Sequence, residues 1–258
     1  MARKMIQNAV GTPVSRVPEG GRARAGVTCG DCGLLAMCLP HGLDRKARES
    51  FEQCVRRRRP LQRGEMLYVA GRPAHSVYAL RCGSIKSFVV DPEGEEVVQA
   101  FYLPGEVLGL EGLVGDRHDH FAVALEPTLY CEIPAHALAE LVPRHLPLQR
   151  QLMRIVNRQL GESRRQSFIY SRREARLRLA TFLLELARRR AARRLSSTRF
   201  RLSMDRRDIA SYLGLTLETV SRGFSRLQSE GLIESRGKAI TLLQPRSLAA
   251  LCGVGDHE

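Results

Sequence analysis

Three cysteines near the start of the chain are the residues with the clearest chemical potential. Cys29, Cys32 and Cys38 lie within ten residues, and the first two form a Cys-x-x-Cys pair. Such short spacings let one loop direct several thiolates toward one point, which suits a soft metal ion or an iron–sulfur cluster. Gly30 and Gly33 allow the backbone to wrap closely around such a group. We therefore predict a metal centre that takes a further ligand from elsewhere in the chain.

The same cysteines could instead form disulfides or be incidental. Disulfide frameworks are typical of small secreted domains, but residues 1–28 contain no apolar run suited to a signal peptide. No stretch approaches the ~20 apolar residues of a membrane helix. We expect a cytoplasmic chain with its thiols free or on metal. The remaining cysteines are interpreted as small buried hydrophobes or unreactive thiols; they are Cys54, Cys82 and Cys252.

The charge balance points to a polyanionic partner. The 258 residues include 41 Lys and Arg against 27 Asp and Glu, which gives a net charge of +14. This excess favours nucleic acid or an acidic membrane surface. The absence of tryptophan and an aromatic content of only 5% argue against single-strand binding by base stacking. The basic residues concentrate late in the chain, at Arg172, Arg173, Arg176, Arg178, Arg188, Arg189, Arg190, Arg193, Arg194, Arg199, Arg201, Arg206 and Arg207.

The elements that must position these groups change in character along the chain. We predict a disordered tail over residues 1–28, then a cysteine loop and an antiparallel β domain over 29–145. The β assignment rests on short apolar segments separated by glycine turns between residues 61 and 134, the last being one strand over 121–133. The arginines at 56–59 are interpreted as a solvated linker.

A long helix is predicted from residue 147 to about residue 170. Leu148, Leu152 and Ile155 form one apolar stripe, and a second stripe contains Met153, Val156 and Leu160. Two stripes need two neighbours, which we expect to be the β domain and the same helix of a second subunit. We therefore predict a homodimerisation helix over 146–172; the alternative is packing against the β domain alone.

The final segment, 173–258, contains a helix-turn-helix pattern. The first helix buries Ile209 and Leu213, Gly214 suits the turn, and Thr216 can cap the second helix. This leaves one outward face that can reach base edges in the major groove of duplex DNA, formed by Glu218, Ser221, Arg222 and Ser225.

The chemistry of this face suits base recognition. Arg222 can donate to guanine O6 and N7, Glu218 can accept from cytosine N4, and Ser221 can serve either role. Glycine is unfavourable inside a helix, so Gly223 indicates that the second helix closely approaches either the first helix or DNA. A β-hairpin after this helix forms a wing, whose Arg236 and Lys238 are candidate phosphate contacts. The alternative is an ordinary helical hairpin with a solvated charged face.

The order of β domain, long helix and winged helix-turn-helix resembles the CRP/FNR superfamily of bacterial transcription regulators. The N-terminal Cys-x-x-Cys-x5-Cys and the segment Leu-Tyr-Cys-Glu-Ile-Pro at 129–134 are similar to the oxygen-responsive FNR (Anr) branch, as is the Glu218-x-x-Ser221-Arg222 reader. The implied fold class is α+β: an N-terminal antiparallel β-roll of the cyclic-nucleotide-binding, jelly-roll type, a dimerisation helix and a winged helix-turn-helix.

The resemblance implies a [4Fe-4S] cluster on Cys29, Cys32, Cys38 and Cys131. The loaded dimer would bind a TTGAT-N4-ATCAA-like palindrome without oxygen and regulate anaerobic genes through RNA polymerase. Oxygen would convert the cluster to a [2Fe-2S] form, with loss of the dimer and of DNA binding. The alternative at this site is structural zinc, with His41 available as the fourth ligand.

Two further classes are disfavoured. The cyclic-nucleotide branch uses a Gly-Glu followed by Arg-Ser; Gly105-Glu106 is present, but the later segment lacks Arg-Ser and carries Asp116 and Asp119, which would repel a phosphate. We therefore expect no cyclic nucleotide as effector. An iron–sulfur enzyme or electron carrier is disfavoured because no nucleotide-binding glycine loop or acid–base constellation is found.

Overall fold

The computed structural model describes residues 27–115, 117–171 and 174–253. It divides the chain into two compact units, Met1–Asn157 and Arg158–Glu258. Most of the predicted tail, and also Asp116, Arg172 and Arg173, lie outside the described residues.

The first unit contains a β domain with helices on either side of it in the sequence. Its elements are α1 (Arg45–Cys54), β1 (Arg56–Arg57), β2 (Met66–Tyr68), β3 (Ser76–Cys82), β4 (Ile85–Val90), β5 (Glu96–Tyr102), β6 (Val107–Leu108), β7 (Phe121–Ala124), β8 (Leu129–Pro134), α2 (Ala135–Leu141) and the first part of α3 (Leu146–Ser171). Short 3-10 helices lie at Leu35–Met37, Leu110–Leu113 and Val142–Arg144.

The strands form two antiparallel sheets of four strands each. One has the order β1-β8-β3-β6 and the other β2-β7-β4-β5. The predicted single strand over 121–133 is wrong, because it consists of β7 and β8, which lie in different sheets. The chain turns between them at Pro127-Thr128, where the Thr128 hydroxyl accepts from Ser84 N at 3.2 Å and donates to Glu126 O at 2.8 Å.

The predicted linker at the arginine run is also wrong, because it begins with strand β1 and its side chains have acidic partners. Arg57 forms an ion pair with Glu52, Arg58 lies 2.6 Å from Glu132, and Arg59 bonds to Glu65. Acidic residues on α1, on β8 and before β2 therefore hold this segment against the β domain. Their positions in the fold could not be read from the run itself.

Helix α3 has the two apolar stripes that its sequence predicts. Leu148, Leu152 and Ile155 are buried in a core that also contains residues of α1, β3 and β8. Met153 is 61% exposed and Val156 42% exposed in the single chain. Leu160, one further turn along, is 48% exposed. The helix thus has a free apolar face of the kind that a partner helix covers.

The second unit contains the end of α3 and a helical domain with a small sheet. Its other elements are α4 (Ala175–Ala191), β9 (Arg199–Arg201), α5 (Arg206–Leu213), α6 (Leu217–Ser229), β10 (Ile233–Arg236), β11 (Ala239–Leu242) and α7 (Pro245–Leu251). The sheet has the antiparallel order β10-β11-β9, so the predicted wing gains a third strand. Leu179, Leu213 and Val220 are fully buried between the helices.

The α+β fold class predicted from the sequence is confirmed. Among the described residues, no helix combines the length and the apolar character needed to cross a bilayer.

Candidate functional sites: a cysteine centre and a DNA-binding surface

The N-terminal cysteines lie on a loop built from short turns. Asp31 N donates to Thr28 O at 3.2 Å, and the Thr28 hydroxyl donates to the Asp31 carboxylate at 2.7 Å. Cys38 N then donates to Leu34 O at 3.1 Å at the end of the first 3-10 helix. These local bonds turn the loop back on itself within ten residues.

Strand β8 brings Cys131 to this loop. Cys131 lies opposite Arg57 of β1 on one side and opposite Ala79 of β3 on the other. Directly paired residues of neighbouring strands project to the same face of a sheet. Ala79 therefore shares a face of the sheet with Cys131, and it lines the same cavity.

Cys29, Cys32, Cys38 and Cys131 all line one cavity, which we call the cysteine centre. Leu34, Leu35 and Leu80 contribute apolar walls, and Arg57 and Arg81 contribute cationic groups. His41 is not among the lining residues. The structure therefore brings together all four cysteines that were predicted as ligands and leaves the alternative histidine ligand aside.

Four cysteine thiolates suit two kinds of centre, a zinc ion and an iron–sulfur cluster. Zinc with bonds to sulfur of about 2.3 Å holds its sulfurs about 3.8 Å apart. A cubane cluster holds its sulfurs further apart, because each sulfur binds a different iron. Both kinds of centre accept four cysteine thiolates, so the donor set fits either.

Three thiols of the cysteine centre, those of Cys29, Cys38 and Cys131, have raised pKa values. Burial is the main cause that raises the pKa of Cys29, and it raises the pKa of Cys38 to about 12. Burial also raises the pKa of Cys131, although the neighbouring Arg81 and Arg57 oppose this effect. Thiolate ligation must therefore displace protons, and the two guanidinium groups favour the anionic product.

Two polar residues that the sequence analysis missed hold the loop in place. Glu52 of α1 accepts from Cys29 N at 2.8 Å and pairs with Arg57. Gln151 of α3, which is 1% exposed, donates through Nε2 to Cys38 O at 3.1 Å. No local pattern reveals either contact, because each depends on which helix packs against the loop.

In the second unit, each helix of the helix-turn-helix begins at a capped residue. Asp205 accepts from Asp208 N at 2.9 Å, and the Asp208 carboxylate accepts from Asp205 N, which completes a capping box for α5. Gly214 ends α5 with a φ of +60°, a conformation that favours glycine. Thr216 caps α6 by accepting from Thr219 N at 3.2 Å.

The face of α6 predicted to read bases is exposed. Its members are Glu218, Ser221, Arg222 and Ser225. Ser221 and Ser225 donate to backbone carbonyls four residues earlier, and Arg222 lies 3.4 Å from the Thr219 hydroxyl. The pKa of Glu218 is lowered by the backbone N–H at the helix start and by Thr216. Glu218 is therefore an ionised hydrogen-bond acceptor at neutral pH.

Gly223 lies on the opposite, buried face of α6. A Cβ atom at this position would come within 3.1 Å of Leu179 Cδ2 on α4. The close approach that the sequence indicated is therefore to α4, rather than to the first helix of the motif or to DNA. This contact sets how closely α6 packs on α4.

The wing and α6 border a groove of about 720 Å³. Arg206 crosses it with its guanidinium 3.1 Å from the Phe224 ring centroid and donates to Ser235 Oγ at 2.9 Å. Burial lowers the pKa of Arg206 to about 10, so the group stays cationic. Arg236 at the wing tip is exposed, whereas Lys238 donates to Ser203 O at 2.7 Å.

Some of the arginines in the second unit form ion pairs or hydrogen bonds within the protein. Arg176 lies 2.6 Å from Glu230, and Arg188 lies 2.6 Å from Glu185. Arg178 donates to Leu213 O at 3.1 Å. Fewer arginines are therefore available to contact DNA than their number in the sequence indicates.

The other cysteines differ in their surroundings. Cys252 is fully buried, as expected for a small hydrophobe. Cys54 is partly exposed, and Cys82 is exposed at the end of β3, so the buried interpretation does not hold for it.

Comparisons with known proteins match both units. The chain matches the family of cyclic nucleotide-binding domains over residues 58–145 and that of Crp-like helix-turn-helix domains over residues 177–251. It is 42% identical to the transcriptional activator protein Anr of Pseudomonas protegens over 232 residues, which are 90% of this chain and 95% of that protein.

A second relative and a solved structure extend the similarity. The fumarate and nitrate reduction regulatory protein of Vibrio cholerae is 37% identical over 242 residues, covering 94% of this chain and 96% of the relative. The structure of FixK2 from Bradyrhizobium japonicum is 32% identical with a TM-score of 0.70, covering 76% of this chain and 96% of FixK2.

Proposed function

This chain belongs to the FNR/Anr branch of the CRP/FNR superfamily of transcription regulators, and on that premise we propose that oxygen controls its DNA binding through a [4Fe-4S] cluster at the cysteine centre. It is a DNA-binding regulator and not an enzyme. We infer its cofactor, its oxygen signal and the set of four cysteine ligands. The observation that carries this inference is the convergence of all four cysteines on one cavity.

The surroundings of the cysteine centre support a cluster as the group it holds. A cluster would supply an oxygen-labile covalent connection between the loop and strand β8. The apolar walls limit access of water, and Arg57 and Arg81 offset the negative charge of the thiolates. The similarity to Anr and to the fumarate and nitrate reduction regulatory protein supports the cluster over zinc.

Gln151 offers a route from this centre to the dimerisation helix. Its side chain bonds to the carbonyl of Cys38, while Met153 and Val156 on the same helix form the exposed apolar face. An occupied centre would hold the cysteine loop against β8 and so keep the Cys38 carbonyl in place to accept from Gln151. Loss of the group would free the loop and weaken this hydrogen bond. A homodimer that forms through this face, with Leu160 extending it, thereby depends on the occupied centre.

The DNA-binding surface supports recognition of a palindrome. Two copies of α6 in a dimer would place Glu218 and Arg222 in successive major grooves, as a TTGAT-N4-ATCAA-like site requires. Arg236 and Lys238 of the wing, with Thr216, Ser221 and Ser225 of the helix-turn-helix, are the proposed supporting contacts. We infer that the bound dimer regulates anaerobic genes through RNA polymerase in the cytoplasm.

We infer that this chain takes no cyclic nucleotide as effector. Asp119 is exposed in the segment that would face the phosphate, and its carboxylate opposes a second negative charge. His118 of the same segment is buried and stacks on Tyr68 at 3.8 Å. These side chains occupy the segment with interactions of their own.

Anaerobic purification tests the cofactor. We expect a straw-brown protein containing iron and sulfide, which loses its absorbance and its affinity for the palindrome in air. Cys131→Ser should abolish cluster retention and anaerobic DNA binding together, whereas Cys82→Ser, an exposed cysteine outside the cavity, should retain both. A colourless protein that holds zinc would refute the cluster.

A second variant leaves all four sulfurs in place. Ala79→Leu adds a branched side chain between β3 and the loop, where it would fill the cavity. Iron content should fall although each cysteine is present. Unchanged iron content would mean that the cavity between Cys131 and the loop is not the cluster site.

A further inference from the structure

A second group of metal-ligating side chains lies in the β domain, apart from the cysteine centre. Glu111 belongs to the 3-10 helix Leu110–Leu113, and Asp119 and His120 precede strand β7. One donor atom from each of these three side chains lies within 4.8 Å of the other two. We call this group the acid–histidine cluster. Neither the DNA-binding surface nor the cysteine centre uses it.

Two buried side chains fix the orientation of the cluster. His118 donates through Nδ1 to a Glu111 carboxylate oxygen at 2.6 Å, and the Tyr68 hydroxyl shares a 2.7 Å hydrogen bond with Nε2 of His120. Tyr68 is 6% exposed and His118 is 3% exposed, and their rings stack in parallel. Metal-binding carboxylates and imidazoles in proteins are held by outer partners of this kind.

The remaining features suit a cation that enters from solvent. The Asp119 side chain is 82% exposed, while that of His120 is 14% exposed, so the group opens to the surface on the aspartate side. Nε2 of His120 bonds to Tyr68, so the ligating nitrogen would be Nδ1, which would exchange its contact with the Asp119 carboxylate for the ion. Two carboxylates balance the charge of a divalent ion, and one imidazole favours transition metals over magnesium or calcium.

We propose that Glu111, Asp119 and His120 form a binding site for a divalent transition-metal ion of the zinc and cobalt type. Solvent completes the coordination. The ion would connect the 3-10 helix to the segment before β7, and Tyr68 extends this connection to β2. The competing arrangement is a set of hydrogen-bonded histidine–carboxylate pairs that bind no metal.

Cobalt tests the proposal because its spectrum distinguishes the two possible sites on this chain. Cobalt bound to thiolates gives intense near-ultraviolet charge-transfer absorption, whereas cobalt on oxygen and nitrogen gives only weak visible bands. We expect the full-length chain to bind one Co²⁺ of the second type after equilibrium dialysis, counted as the total cobalt by metal analysis less the thiolate-bound cobalt given by the charge-transfer band. Asp119→Asn should weaken this binding at least tenfold.

Matched variants separate ligation from folding. Glu93→Gln makes a similar change of charge at an exposed acid in the β4–β5 turn and should bind cobalt as the wild type does. Tyr68→Phe keeps all three ligands and should weaken binding about 10- to 100-fold, as loss of an outer partner does. Circular dichroism checks that each variant is folded. Wild-type affinity in folded Asp119→Asn, or cobalt found only on thiolates, would overturn the proposal.

Discussion

Replacing Gln151 with leucine tests the proposed connection between the cysteine centre and the dimerisation helix. Gln151 is buried, and its side chain donates one hydrogen bond to Cys38 O. Leucine has a similar volume and keeps the packing of α3, so the main loss is this bond. The Cys38 carbonyl also accepts from His41 N at 3.2 Å, so the substitution does not leave it without a donor.

The magnitude follows from the geometry. Loss of one buried hydrogen bond whose acceptor keeps another donor costs about 1 kcal/mol. A dimer contains two such bonds, so coupling through both would total about 2 kcal/mol, or a factor of about 30 in dimer formation at most. We therefore expect anaerobic DNA affinity to fall between about 5- and 30-fold, while the weaker binding expected in air stays unchanged.

Fluorescence anisotropy of a labelled palindrome, measured against subunit concentration with and without oxygen, supplies the assay. Gln149→Leu is the matched control, since it makes the same substitution two residues away at a partly exposed position of α3. Equal losses in both variants, or an equal loss with and without oxygen in Gln151→Leu, would refute the connection and indicate a general effect on the helix.

Three other predictions use different parts of the chain. Val156→Glu places a charge on the exposed apolar face of α3 and should shift the loaded protein toward monomer in sedimentation, without lowering the stability of the single chain. Arg222→Ala should cost ~1–3 kcal/mol and relax base choice at one position of each half-site in a binding-site selection, whereas an equal loss on all sequences would assign Arg222 to phosphate. The pKa of Cys38 is raised by burial from 9.0 to about 12, so the folded chain holds this proton more tightly than the unfolded chain. The contribution of this group to the free energy of unfolding is fully present below pH 9 and is lost as the pH rises toward 12. The urea midpoint of metal-free protein should therefore fall more steeply over this range in the wild type than in Cys38→Ala.

The elements with strong periodicity could be predicted from the sequence, and those defined by distant partners could not. The apolar stripes of α3 and the capped helices around Gly214 match their patterns, because each depends on residues within two turns. Strand β9 and the division of 121–133 into β7 and β8 depend on sheet partners far along the chain. The sequence carries no local sign of either.

The cysteine centre shows the same limit. The types and spacing of Cys29, Cys32 and Cys38 indicate their chemistry directly. Cys131 could be selected only through a family resemblance, since nothing in its own segment places it next to the loop. Arg57 was misinterpreted because four consecutive arginines look solvated until Glu52 is placed beside them. The ligand roles of the four cysteines stay a prediction.

The pairing of β8 with β1 and β3 has a consequence for how this protein can change over time. Side chains alternate between the two faces of a strand, so one residue inserted between Leu129 and Cys131 would turn the sulfur to the far side of the sheet. One residue inserted into the turn at 91–95 would leave that alternation untouched. Insertions and deletions among related sequences should therefore be frequent in the turn at 91–95 and rare in the few positions before Cys131.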